Sequence, residues 1–109
     1  MRIEEKKVES FVIYDAPALD PVLVVLDNMG HGRGKLIVEC FGSTWSTYWG
    51  AIGDCSLREF IISCSPDYIQ NRMWSPEHKR LKRHEHYLTR IVVAVQSALR
   101  ASENCKATL

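Results

Sequence analysis

No apolar run in this chain approaches the ~18 residues of a membrane span. Met1 to Lys7 is rich in charge and lacks the apolar stretch of a secretory signal. The expectation is a soluble protein of the cytoplasm, without membrane contact. Charge of one sign is missing as well. The formal net charge is +1 with 25% charged residues, so there is no global basic field, and any nucleic-acid binding has to be local. The four cysteines, Cys40, Cys55, Cys64 and Cys105, form no close pair, and His84-x-His86 points to opposite sides of a helix. Neither pattern has the tight spacing of a metal site, and no metal or cofactor is expected. Cys40 and Cys64 lie on apolar faces and read as core. At 109 residues and 46% hydrophobic, the chain suits one domain over 1–109, with frayed ends at 1–7 and 104–109.

What the chain does have is concentrated between Gly34 and Gly53. There an apolar run passes into Ser43-Thr44-Trp45-Ser46-Thr47-Tyr48-Trp49, where large aromatics alternate with small hydroxylated residues. Period-two alternation puts Trp45, Thr47 and Trp49 on one face of a strand and Thr44, Ser46 and Tyr48 on the other. Two indoles on one face either anchor a core or form a partner-binding surface. A small domain needs its large side chains inside, which favours burial of Trp45 and Trp49.

Strands precede helices. Ser10 to Tyr14 is a short β-branched and aromatic run, closed by a connection holding Pro17 and Pro21. Val22 to Leu26 and Lys35 to Phe41 flank the glycine-rich Gly30-His31-Gly32-Arg33-Gly34 and predict a hairpin, with Gly42 a bend before the aromatic segment continues the strand. From Asp54 the period turns helical. Ser56 to Glu59 is a capping box, followed by Leu57, Phe60, Ile61 and Cys64 at helical spacing. Ser65-Pro66 opens a second short helix with Ile69 and Met73 inward, and Ser75-Pro76-Glu77 repeats that grammar to open a helix running to about Ser102.

The long helix has two faces. Leu81, Leu88, Ile91, Val92, Val95 and Leu99 form an apolar stripe with His84 at its edge. A helix this long is expected to overhang a small sheet, leaving Val92, Val95 and Leu99 to a partner, with a homodimer as one solution. Lys79, Arg83, His86 and Arg90 form a basic stripe on the other side. Together with Arg33 they are the candidate nucleic-acid contacts.

Catalytic constellations are thin. Gly30 to Gly34 has a cation among three glycines, but it joins two strands and does not open a helix, as a phosphate cradle would. Cys55 is the one thiol placed before a helix N-terminus, and Asp15, Asp20, Asp27 and Asp54 sit where turns want Asp. No enzyme is expected, and no catalytic residue is assigned.

The segment GRGKLIVECFGSTWSTYWGAIGD, with the capped helix bearing Phe60 and then Asp67-Tyr68-Ile69, resembles small uncharacterised accessory proteins of lambda-like temperate phages and prophages. The resemblance covers roughly Asp20 to Trp74 and rests on Trp45, Tyr48, Trp49, Gly50, Gly53 and Tyr68. It carries over no catalytic or binding residue. It implies a phage accessory protein in the bacterial host's cytoplasm that binds a host protein factor, of defence or replication. On this reading Trp45, Trp49, Val92, Val95 and Leu99 are the partner-binding residues; a nucleic-acid-binding module is the alternative. The expected fold is α+β, a three-stranded antiparallel sheet followed by two short helices and one long C-terminal helix.

Overall fold

Val22, Val24 and Leu26 alternate with Leu23 and Val25, and the chain folds to bury the first set. The same alternation runs through Leu36, Val38 and Cys40, and through Trp45, Thr47 and Trp49. The computed structural model describes the backbone of residues 1–107 and the side chains of residues 1–102. It contains β1 (Glu9–Ile13), β2 (Val22–Gly30), β3 (Arg33–Cys40) and β4 (Ser43–Trp49), then α1 (Leu57–Ser63), α2 (Pro66–Arg72) and α3 (Lys82–Ala107). The strands form one antiparallel sheet in the order β1-β2-β3-β4. The α+β class is as expected, but the sheet has four strands where three were expected.

The extra strand comes from the backbone at Phe41 and Gly42. Their φ angles of 50° and 85° reverse the chain in a two-residue turn of the primed type, whose twist suits a hairpin. Ser43 then pairs back with Cys40, and Trp49 with Gly34. The bend expected at Gly42 is a full reversal. His31 and Gly32 make a second turn of the same kind, with φ of 53° and 70°. Gly32 lies so close to the next loop that its carbonyl accepts from the Ile52 amide at 2.8 Å.

The three helices cover one sheet face. Ser56 Oγ accepts from the Glu59 amide and Ser65 Oγ from the Tyr68 amide, each at 3.2 Å, so both expected caps form. Ile69 and Met73 are buried as expected. Cys40 is fully buried, whereas Cys64 is half-buried at the edge of the core, and burial pushes its thiol up from the ordinary value. The side chain of Cys105 lies outside the described residues.

Two expectations for the last helix are corrected. Helix α3 begins at Lys82, not at Ser75-Pro76. Ser75 does not cap a helix: its amide donates to His78 Nδ1 at 3.1 Å, and its carbonyl accepts the His78 amide at 3.0 Å, closing a single turn. Nor does the helix overhang. Leu88, Ile91, Val92, Val95 and Leu99 are all 0–1% exposed, because α1 and α2 widen the layer that α3 packs against. Gln96, also buried, donates to the carbonyls of Ile61 at 3.0 Å and Cys64 at 2.8 Å, closing the C-terminus of α1. Residues 1–8 have no regular structure, yet Lys6 reaches Asp27 at 2.7 Å. At the other end, 104–107 continue α3 and 108–109 lie outside the described residues. Among the described residues no helix is long and apolar enough to cross a membrane.

Candidate functional site

Where β4 starts, the sheet, the segment after α2 and the first turns of α3 enclose a cleft of about 420 Å³ lined by Trp45, Trp74, His78, Lys79, His84 and Tyr87, among others. That volume lies within the ~300–1,000 Å³ usual for ligand pockets. The aromatics arrive from three parts of the chain, β4, the connection between α2 and α3, and α3 itself. Trp45 stands on the core face of β4 opposite Val38. Trp74 follows the C-cap of α2, His78 sits on the Ser75 turn, and Tyr87 is on α3.

The rings pack on one another. The His78 ring stacks on Trp45 at 6.3 Å and 28°, and meets Trp74 edge-on at 5.6 Å. Tyr87 is tilted against Trp45 at 6.0 Å. Their buried polar atoms are satisfied with one exception. Trp74 Nε1 donates to Gln70 Oε1. His78 Nδ1 accepts the Ser75 amide, which leaves the proton of the neutral ring on Nε2. Tyr87 donates to Cys40 Sγ at 3.0 Å, and that thiol donates to the Asp20 carbonyl at 3.6 Å. Burial, reinforced by the Cys40 contact, pushes the Tyr87 hydroxyl up to about 12. The exception is Trp45 Nε1, which is buried and has no acceptor. Such an orphan donor is uncommon in a native fold.

The rim is cationic. Lys79, Lys82 and Arg83 are exposed, and none is paired with an acid among the described residues. Arg80 is taken by Glu85 at 2.5 Å and by Asn71, and its guanidinium lies over Trp74. Arg90 lies 5.7 Å from the centre of the Tyr87 ring. Glu77 also lines the cleft, and the Ser75 hydroxyl holds its carboxyl below the ordinary value.

Not all the candidate residues come together. Arg83, His86 and Arg90 share a face of α3, and Lys79 precedes the helix beside the cleft. Arg33 does not join them. It starts β3 beside Gly34, at the Trp49 end of the sheet, whereas the cleft is at the Cys40–Ser43 end, about 20 Å away at ~3.3 Å per residue. Trp45, Trp49, Val92, Val95 and Leu99, the expected partner-binding residues, form no outer surface: all are at most 6% exposed. The exposed apolar stripe from which self-association was expected is covered by the chain itself. Trp49 is fixed by α2, donating to the Tyr68 hydroxyl at 3.0 Å, with Arg72 over its ring.

Sequence reasoning passed over Trp74, His78, Tyr87 and Phe41 as site residues. Phe41, in the turn leading to Ser43, is 81% exposed and at positive φ. The visible signal was the stretch Trp74 to Arg83, where one tryptophan precedes four cations, Lys79, Arg80, Lys82 and Arg83. Among the described residues no three His, Cys, Asp or Glu side chains gather as a metal site.

Residues 1–83 match the profile of a phage family, Phage_phiTE_072. No curated protein and no solved structure matches the chain.

Proposed function

The chain belongs to this phage family, and we propose that it is a non-catalytic accessory protein that binds nucleic acid in the cytoplasm of the bacterial host. The observation that carries this reading is the pairing of an aromatic cleft with acid-free cations. Lys79 lines the cleft, and Lys82 and Arg83 follow on the first turn of α3. Unpaired cations beside aromatic rings serve phosphate neutralisation and base contact together. The resemblance of residues 20–74 supports the finer placing among lambda-like temperate phages and prophages.

The host-protein reading has lost the residues that carried it, since Trp45, Trp49, Val92, Val95 and Leu99 are core. The two readings separate in a pull-down from host lysate with and without nuclease. Nucleic acid captured by the intact chain, and lost from a variant with Lys79→Ala and Arg83→Ala, supports binding at this site. A nuclease-resistant protein partner with no nucleic acid returns the host-protein reading.

A further inference from the structure

We propose that the cleft receives an unpaired nucleobase, so that the ligand is single-stranded nucleic acid and not a duplex. The inference rests on the nucleic-acid reading above and sharpens it. Three independent features set three requirements on the ligand.

The first requirement is a flat aromatic group. The cleft is walled by Trp74, His78 and Tyr87 over a floor of Trp45, and its volume of about 420 Å³ admits a base with part of its sugar. The second is a hydrogen-bond acceptor. Every buried polar atom on the rings of the cluster described above has a partner except Trp45 Nε1, whose N–H is unsatisfied. Carbonyl oxygens and ring nitrogens of bases supply acceptors. His78 stacks on Trp45 and is the ring on which an entering base stacks in turn. The third is negative charge outside the cleft, for Lys79, Lys82 and Arg83. An unpaired nucleotide meets all three. An acidic peptide offers acceptors and negative charge but its acidic side chains supply no flat aromatic group, and a paired base presents no free face.

Phe41 is a fourth observation that points the same way. A large aromatic at φ 50° and 81% exposure is costly on both counts, since its backbone region favours Gly or Asn. It sits two residues before Ser43, which lines the cleft. A stacking platform for the neighbouring base explains why an aromatic is kept there.

The test uses the intact chain and fluorescence anisotropy. The probes are a labelled oligothymidylate of about 12 nucleotides, within the site size such grooves take, and its duplex with oligoadenylate. The expected result is single-strand binding about tenfold tighter than duplex binding. His78→Ala and Phe41→Asn should each remove most of that preference while leaving the salt slope intact. Trp45→Phe, which keeps a ring but removes the N–H, should weaken single-strand binding several-fold, with folding checked by circular dichroism.

Equal or tighter duplex binding that is still weakened by Lys79→Ala overturns the base pocket and leaves the electrostatic reading standing. Absence of binding to either probe overturns both. Capture of polyglutamate in place of either probe assigns the site to an acidic protein. Retention of the full single-strand preference in both His78→Ala and Phe41→Asn also overturns the pocket.

Discussion

Trp49 donates its indole hydrogen to the Tyr68 hydroxyl at 3.0 Å, tying the last strand to α2. Trp45, on the same face of that strand, has no such acceptor. The two tryptophans should therefore answer differently to Phe. Trp49→Phe forfeits a hydrogen bond of about 1 kcal/mol in addition to packing, whereas Trp45→Phe removes a donor that was unsatisfied. Urea denaturation should show Trp49→Phe as the more destabilised of the two. Either residue replaced by Ala should cost about 3–5 kcal/mol, as core truncations do. A folded Trp45→Ala protein of unchanged stability would contradict its place in the core.

Gln96 closes the C-terminal end of α1 from the neighbouring helix. Its amide donates to two backbone carbonyls, Ile61 and Cys64, from a position 2% exposed. Gln96→Leu keeps the bulk and strands those carbonyls, at a cost of about 1–3 kcal/mol. Thermal melts should show the loss. A neutral outcome would mean that water replaces the side chain at the Cys64 carbonyl.

Alkaline pH should loosen the Tyr87–Cys40 contact. The Tyr87 hydroxyl is pushed up to about 12 by burial and by Cys40, from an ordinary 10.0. A raised folded-state value means that the contribution is fully present below pH 10 and is lost as pH rises towards 12. The melting temperature of the native protein should therefore fall more steeply above pH 10 than that of Tyr87→Phe. Parallel curves would remove Tyr87 from the account of alkaline stability.

Phe41→Asn should stabilise the fold. Asn accepts the positive φ of the turn with little strain, so the change relieves part of the roughly 1–2 kcal/mol that a bulky side chain costs in the left-handed region. A rise in the urea midpoint together with weaker oligonucleotide binding would mark Phe41 as a residue kept for contact and not for folding. A fall in the midpoint would show that the phenyl ring packs usefully where it stands.

Much of this fold was legible wherever local chemistry decides. Ser56 and Ser65 cap the helices their hydroxyls announce, and the period-two pattern puts Trp45 and Trp49 inside. It failed where tertiary contacts decide. Phe41-Gly42 lacks the Asn-Gly or Asp-Gly of a recognisable primed turn, so two strands read as one bent strand. Ser75-Pro76-Glu77 has the residues of a helix start, but His78 takes the Ser75 amide and packs between Trp45 and Trp74. The burial of Val92, Val95 and Leu99 depends on α1 and α2 extending the packed layer, which no pattern within α3 reveals. The cleft draws Trp45, Trp74, His78 and Tyr87 from three separate segments, β4, the α2–α3 connection and α3. Only the cations at 79–83 were conspicuous in the linear chain, and Arg33, grouped with them by charge, belongs to the far end of the sheet.

The central claim, phosphate neutralisation beside the aromatic cleft, is tested most directly by the salt dependence of affinity for a labelled single-stranded oligonucleotide. With Lys79, Lys82, Arg83 and Arg90 engaged, the expected slope of log affinity against log salt is near −2.8, from about four phosphates at roughly −0.7 each. The double substitution Lys79→Ala with Arg83→Ala should bring it to about −1.4. Undetectable binding at about 50 mM salt, or a slope unmoved by the double substitution, would contradict the claim.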